Sequence, residues 1–462
     1  MKGSVKTILD AVGDTPIVEM QKIGAELEAS FFAKCEFLSP SGSTKDRMAR
    51  ALVDAAEQSG ALSPGGTLVE ATTGNAGAAL ALVAAVRGYK CICVVPEKIS
   101  PEKLASLRAY GAKVIVTPTA VEPDDSRSMR SVAKQLAEDT AGAYLVDQWD
   151  NPKNPDAYAD SLGPEIWAQT DGAIDAVVGT LGSGGMMMGL ARFLKSQPPR
   201  AGSHKIAVVG VDASGSLYHD LAETGRLTQT SAYQLEEVGA DFVPRVLDLG
   251  SLDRVVPVSD RDAFRTARDL VRLEGIFAGG SSGAAVAGAL VWARENPDAR
   301  NILVLLTDSA NQYLSKIFND EWMRENGFLD DEDGLGLVRD LVQLKGGADV
   351  VTAKPYDNVR QVVRKMKQHG ISQLPIVDGE KLLGVVAEVD MLRYLVSGES
   401  SLDGAVKPLI EQDFRAVTPT TSIDDLKAAL SEARMAVVLE GTRIVGVVTK
   451  IDLIDYLARR AS

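Results

Sequence analysis

The segment TLVEATTGNAGAALALVAAV, residues 67–86, carries three successive signals that decide the fold class. An apolar run ends at Glu70, a polar glycine-containing turn follows, and small apolar residues then continue on every face. This order predicts a buried strand, a tight turn and a buried helix. The free N–H groups at the start of such a helix suit an anion such as a carboxylate, although a Thr or Asn N-cap without a ligand would look the same.

The same alternation of strand and helix extends from about residue 30 to 310. Helical periodicities such as 46–60 and 129–140 lie between the strand candidates. Near-continuous apolar strands separated by helices are typical of an α/β fold with parallel sheets covered on both faces. The strand candidates are 67–70, 91–95, 113–117, 144–147, 175–179, 205–211 and 301–307.

The last quarter of the chain repeats itself. GVVAEVD at 384–390 matches GVVTKID at 446–452, an offset of 62 residues, and a strand and a helix precede each copy. Such self-similarity indicates two copies of one unit that bury their faces against each other. We predict a core over 1–327 with a smaller inserted subdomain at about 45–146, an acidic linker over 328–345, and a duplicated module over 346–462 with repeats at about 346–400 and 405–462.

Composition excludes several classes of function. Lys and Arg number 49 against 63 Asp and Glu, a net charge of −14, which disfavours nucleic acid as a partner. Three His and three Cys leave little for a metal site, and Cys91 and Cys93 lie within one apolar strand candidate. No apolar stretch reaches the roughly 18–20 residues of a membrane helix, and residues 1–15 lack the apolar core of a signal peptide. We therefore expect a cytoplasmic protein without metal, disulfides or membrane contact.

Three further segments rich in small residues carry candidate chemistry. Lys45 follows a Ser/Gly turn at the start of a helix, where the helix dipole lowers its pKa and favours the neutral amine needed to bond a carbonyl. GSGGM at 182–186 lacks the third glycine of a dinucleotide motif and suits one phosphate group. Ser281 begins another small-residue helix and could bond a ring nitrogen. Each has an ordinary structural reading as a solvated lysine, a tight turn or an N-cap. Taken together, these features are the parts that pyridoxal phosphate (PLP) requires.

These residues resemble the fold-type II PLP enzymes of the cysteine synthase/cystathionine β-synthase family along essentially the whole chain. SGSTKDR (41–47), TTGNAG (72–77) and GGSSG (279–283) resemble its lysine, substrate-carboxylate and pyridine motifs, and EEVGADFVP (236–244) resembles the loop over its active-site mouth. DSANQYLSKIFNDEWM (308–323) resembles the end of its catalytic core, and the repeats resemble a paired CBS (Bateman) module.

The resemblance implies a set of site residues. Lys45 would be catalytic and would attach PLP. The other residues expected to contact PLP are Asn75, Gly182, Ser183, Gly184, Gly185, Met186 and Ser281. The residues expected to bind substrate are Thr72, Thr73, Gly74, Ala76 and Gln148. Thr449, Asp452 and Asp390 would bind a regulatory nucleotide in the Bateman module.

Several positions depart from the family pattern. Met186 and Ala76 stand where the family usually has Thr, and each removes one hydroxyl donor. Ala240 replaces the Tyr typical of cystathionine β-synthases, and Ala387 replaces a Thr in the first repeat. The PLP core begins almost at once, so we expect no haem.

The resemblance implies PLP-dependent β-replacement, in which serine and homocysteine give cystathionine. A cysteine synthase using O-acetylserine and sulfide is the first alternative, which Ala240 favours. A nucleotide-sensing protein with a decayed core is the second, and a serine or threonine dehydratase is more remote. We also expect an adenine nucleotide or S-adenosylmethionine on the Bateman module, and a homodimer that the module could extend to a higher oligomer.

Overall fold

The computed structural model describes residues 4–119, 121–122, 124–198, 205–329, 336–345, 350–379, 381–397 and 401–461. The chain divides into two compact units, residues 1–329 and 330–462. Among the described residues, no helix is both long and apolar enough to cross a membrane.

The first unit contains two sheets. Its strands are β1 Ile17–Met20, β2 Ser30–Cys35, β3 Thr67–Ala71, β4 Lys90–Pro96, β5 Lys113–Thr117, β6 Ala143–Leu145, β7 Ala176–Thr180, β8 Ala207–Ala213, β9 Arg254–Val258 and β10 Asn301–Leu306. The larger sheet has the order β1-β2-β10-β7-β8-β9, and the smaller has the order β5-β4-β3-β6. All neighbours pair in parallel except β1 and β2. The predicted α/β class with parallel sheets is therefore confirmed.

Helices cover these sheets, and their sequences explain their burial. They are α1 Lys45–Gln58, α2 Asn75–Arg87, α3 Pro101–Ala109, α4 Met129–Asp139, α5 Lys153–Ala159, α6 Leu162–Thr170, α7 Gly185–Ser196, α8 Tyr218–Thr224, α9 Asp260–Glu274, α10 Gly280–Glu295 and α11 Asp320–Glu325. The first ten residues of α2 and the first ten of α10 are buried, as expected for helix segments without a polar face. Small side chains there allow close packing on the strands.

The second unit consists of two similar halves. Its elements are α12 Val338–Leu344, α13 Val359–His369, β11 Gln373–Asp378, β12 Lys381–Ala387, α14 Glu388–Val396, β13 Phe414–Val417, α15 Ile423–Glu432, β14 Met435–Glu440, β15 Arg443–Thr449 and α16 Lys450–Ala461. Strands β14 and β15 pair antiparallel, as β11 and β12 do. Each half therefore follows the strand–helix order that the repeat predicts.

The structure places a helix in the second half of the predicted linker over 328–345. Residues 338–344 form α12, in which Val338 and Leu341 are buried among side chains of the second unit. A short amphipathic helix buries its apolar residues there, whereas a solvated linker would leave them exposed to water. Residues 330–335 of the predicted linker lie outside the described residues.

Candidate functional site

Three of the segments that the sequence analysis singled out meet around Lys45 in the first unit. Lys45 begins α1, Asn75 begins α2, and the glycine loop (residues 182–186) leads from β7 into α7. In parallel sheets the helices begin beyond the carboxyl ends of the strands, where ligand sites form. One cavity at this edge is lined by Lys45, Thr73, Gln148, Gly182, Ser183 and Glu237, among others. An adjoining one is lined by Lys45, Asn75, Gly184, Met186, Thr180 and Thr307, among others.

The Lys45 amine points to a polar partner inside this site. Its Nζ donates to Oε1 of Gln148 at 3.4 Å. Burial lowers the pKa of Lys45, while the carboxylates of Glu237, Glu70 and Asp308 oppose that shift. Burial is thus the main cause of a lowered pKa here. The neutral amine, which can accept a proton, is favoured relative to an exposed lysine.

The turn between β3 and α2 forms a cup of hydrogen-bond donors. The Thr73 hydroxyl and the Asn75 backbone N–H both donate to Oε1 of Glu237, at 2.9 and 3.2 Å. The Thr72 hydroxyl instead accepts from the backbone N–H groups of Gly74 and Gly77. Thr72 therefore shapes the turn, whereas Thr73 and Asn75 present donors to a carboxylate.

A buried network lies behind the cup and centres on Asp308, which sequence reasoning did not assign to the site. Its Oδ2 accepts from Nδ2 of Asn75 at 2.9 Å, and its Oδ1 accepts from the Ser281 hydroxyl at 2.9 Å. The Tyr313 hydroxyl also donates to Asp308, and Thr307 bonds Ser281 at 2.7 Å. The predicted residues Asn75 and Ser281 are thus joined through one carboxylate that directly follows β10.

The glycine loop owes its shape to close approaches. Gly184 has φ +88°, in the left-handed region that favours glycine. A Cβ on Gly185 would lie 2.0 Å from Oδ1 of Asn154, whose Nδ2 donates to Ser183 at 3.1 Å. Met186 lies against the Thr44 hydroxyl at 3.8 Å. Thr44 and Thr180 therefore bring hydroxyls to the cavity in which Met186 supplies none.

The residues present fit the cofactor that the sequence implies. Oδ1 of Asn75 is buried and has no hydrogen-bond partner among the described residues, although its Nδ2 is engaged. A buried acceptor left unpaired costs free energy unless a ligand donor reaches it. It lines the same cavity as Lys45 and the glycine loop. The amine of Lys45, the donor cup and the unpaired Asn75 amide oxygen together fit PLP.

Two other contributors also escaped the sequence analysis. Glu237 lies at the cup, and Lys103 approaches it with Nζ at 3.4 Å. Glu237 belongs to the segment 236–244 that the sequence analysis placed over the active-site mouth, but no role was assigned to its side chain, and no spacing points to Lys103. Asp308 could have been found as a polar residue directly after a buried strand. No group of metal-binding side chains occurs within the part of the chain that the structure describes.

In the second unit the three predicted nucleotide residues cap helices. Asp452 accepts from the Thr449 hydroxyl at 2.6 Å and pairs with Lys345 at 2.9 Å. Asp390 accepts from the guanidinium of Arg434 at 3.1 Å. A ligand hydroxyl that approaches either carboxylate would compete with these cations.

Comparisons with known families match both units. Residues 8–308 match the pyridoxal-phosphate dependent enzyme family, and residues 338–397 and 406–459 each match the CBS domain. The first of the two CBS matches includes α12. It therefore starts at residue 338, before residue 346, where we predicted the module to begin.

Relatives cover nearly the whole chain. A cystathionine beta-synthase of Dictyostelium discoideum is 36% identical over 98% of this chain and 92% of its own length. One of Oryctolagus cuniculus is 37% identical, over 98% of this chain and 85% of its own. A crystal structure of an O-ureido-L-serine-bound mutant of O-ureido-L-serine synthase is 34% identical, with a TM-score of 0.62, and covers 75% of this chain and 100% of its own.

Proposed function

The chain belongs to the cystathionine β-synthase family of pyridoxal-phosphate dependent enzymes, and from this premise we propose that it condenses L-serine with L-homocysteine. In this β-replacement the Cβ–O bond of serine breaks and a C–S bond to homocysteine forms, giving L-cystathionine and water. The observation that carries the proposal is the convergence of Lys45, Asn75 and the glycine loop on one cavity.

The cofactor would be held by Lys45 through its amine, by the glycine loop through its backbone N–H groups, and by Asn75 and Ser281. When bound, PLP supplies an electron sink for the electron pair left on the substrate Cα. The Ser281 hydroxyl carries no formal charge, and it donates its proton to Asp308 in this structure, so it would have to turn away from Asp308 to donate to the ring nitrogen.

The chain's own residues then orient the substrate and move its proton. We infer that the Thr73 hydroxyl and the Asn75 N–H bind the α-carboxylate, since both already bond a carboxylate in this structure. Lys45 Nζ accepts the Cα proton, which its lowered pKa favours. Gln148 holds this amine through its Oε1.

Product identification tests the function directly. Purified holoenzyme should convert serine and homocysteine to cystathionine, and Lys45→Ala should abolish both the product and the visible absorbance of bound cofactor. Formation of cysteine from O-acetylserine and sulfide, with no cystathionine, would instead support the cysteine synthase alternative. A colourless protein that binds only nucleotide would support a decayed core.

We further propose that the CBS pair binds an adenine nucleotide or S-adenosylmethionine at Thr449 and Asp452, with a second site at Asp390. The partly buried Asp452 carboxylate beside the Thr449 hydroxyl supports this, since a ribose hydroxyl could bind there once it displaces Lys345. Calorimetric titration with ATP, AMP and S-adenosylmethionine should show binding that Asp452→Ala removes and the exposed control Asp424→Asn keeps. No heat and no rate change with any of them would make the module purely structural.

A cytoplasmic homodimer completes the proposal. The family resemblance supports the dimer, and the three cysteines, all buried and free, fit a reducing compartment. Sedimentation should give twice the chain mass of 49.0 kDa. A monomer would contradict this assembly, and a larger mass would indicate further association through the module.

A further inference from the structure

In the mouth loop, residues 236–244, a glutamate has a backbone conformation that glycine adopts more readily. Glu237 has φ +67°, in the left-handed region that side chains with a Cβ rarely adopt. Its carbonyl oxygen lies so close to Gly182 that a Cβ there would approach it to 2.7 Å. The loop therefore packs directly on the glycine loop while its backbone holds Glu237 in an unusual conformation.

The side chain of Glu237 ends in the donor cup. One oxygen accepts from the Thr73 hydroxyl at 2.9 Å and from the Asn75 N–H at 3.2 Å, at the N-terminus of α2. Lys103 adds a positive charge at 3.4 Å. Burial opposes ionisation of Glu237, but Lys103, Lys45 and the Asn75 N–H hold its pKa below the usual value. The cup therefore contains a charged carboxylate that belongs to the protein itself.

The neighbouring Glu236 anchors the mouth loop. Glu236 bonds Lys316 at 2.6 Å and lies 2.9 Å from Lys103, so it ties the loop to two cations. The Gly239 N–H also donates to the Leu181 carbonyl. These contacts hold the loop whether or not the Glu237 side chain occupies the cup. Glu237 is therefore dispensable for anchoring.

We propose that Glu237 is an internal competitor for the α-carboxylate of the amino acid substrate, and that it sets the affinity of this site. The proposal rests on the proposed function, because it takes the cup to be the substrate-carboxylate site. Two carboxylates cannot share the Thr73 hydroxyl and the Asn75 N–H, and their like charges repel. Substrate binds only in the fraction of molecules whose Glu237 has left the cup.

The size of the effect follows from this fraction. Apparent affinity falls in proportion to the fraction of competent molecules. We take Glu237 to occupy the cup in about nine molecules of ten, because two donors and Lys103 hold it there, and binding is then about tenfold weaker. Removing the carboxylate should recover that factor in the KM for serine. The KM for homocysteine should stay the same, because homocysteine binds after serine and does not compete with Glu237 for the cup.

The experiment compares holoenzymes of the wild type, Glu237→Gly, Glu237→Gln and the control Asp241→Asn. Asp241 is exposed in the same loop, so its variant removes one negative charge outside the cup. Glu237→Gly should lower the serine KM about tenfold and Glu237→Gln by a smaller factor, whereas the control should match the wild type. Glu237→Gln preserves the size of the side chain, which keeps the test valid if the glycine variant folds poorly.

A binding readout separates this proposal from the proposed function. Phe242 of the mouth loop contacts Trp149 with ring centroids 5.1 Å apart, so tryptophan fluorescence should report serine binding without turnover. The Kd should fall about tenfold in Glu237→Gly. Equal KM and Kd in all four proteins, with cystathionine still formed, would overturn the Glu237 proposal alone. Serine binding without cystathionine in the wild type would overturn the proposed function while leaving the Kd comparison decisive for Glu237.

Discussion

Replacing Glu70 by Gln should flatten the pH dependence of stability in the first unit. Glu70 is the penultimate residue of β3 and is buried, and only its Oε1 has a partner, the Gln148 backbone N–H at 3.4 Å. Its Oε2 has none among the described residues. Burial, with a smaller contribution from Asp147, raises the pKa of Glu70 from 4.5 to about 8.

The sign of the effect follows from proton linkage. The folded protein holds the Glu70 proton more tightly than the unfolded chain, whose carboxyl has the ordinary pKa of 4.5. Unfolding therefore releases this proton between about pH 4.5 and 8, so the free energy of unfolding falls as the pH rises and then levels off. At 1.36 kcal/mol for each pKa unit, the full loss is at most about 5 kcal/mol.

Gln keeps the shape of Glu70 and cannot ionise. The stability difference between Glu70→Gln and the wild type should be small at about pH 4.5 and should grow by several kcal/mol by pH 8.5. Urea unfolding followed by tryptophan fluorescence measures this, since Trp149, Trp167, Trp292 and Trp322 all lie in the first unit. The exposed Glu138→Gln is the matched control. Parallel profiles for all three proteins would refute the reasoning.

Three further substitutions test the packing of the site. Gly185→Ala should abolish cofactor retention, because its Cβ would meet Asn154 at 2.0 Å; normal absorbance after dialysis would contradict this. Arg47→Ala should cost about 3–5 kcal/mol in urea unfolding, since it leaves the fully buried Glu36 without its cation, whereas Glu165 keeps Lys34; an unchanged midpoint would count against it. Asp308→Asn should cost about 1–3 kcal/mol and weaken cofactor binding, because three side-chain donors converge on its oxygens; retained stability and absorbance would argue otherwise.

Local sequence patterns predicted much of the fold, and the strands that we missed show which structural features such patterns do not contain. All seven predicted strands occur, and the apolar runs of β3, β4, β7, β8 and β10 are almost entirely buried, whereas β5 and β6 are only partly so. Strand β2 contains Lys34, which is fully buried against Glu165, a partner 131 residues away. Strand β9 contains Pro257, which the edge position of β9 tolerates. A sequence window contains neither the distant carboxylate nor the edge of a sheet.

The residues of the site also fall into two groups, those that local sequence patterns predict and those that long-range contacts bring in. Lys45, Asn75 and the glycine loop could be predicted because each lies at a strand–turn–helix junction, where short-range signals are strong. The roles of Asp308 and Glu237 arise from contacts across 233 and 162 residues with Asn75. No local spacing encodes such contacts. The ligand roles assigned to the individual residues stay predictions until the variants above are measured.

The position of β10 sets the order in which the protein can be built on the ribosome. β10 lies between β2 and β7 in the larger sheet, yet it begins at residue 301, whereas β2 ends at residue 35. At about 5–20 residues per second, β2 waits roughly 13–50 s for its parallel partner. During that time β2 exposes an unpaired edge that other chains can join, and β7 does so from residue 180 onward. We expect nascent chains that end before residue 301 to depend on chaperones and to aggregate when released.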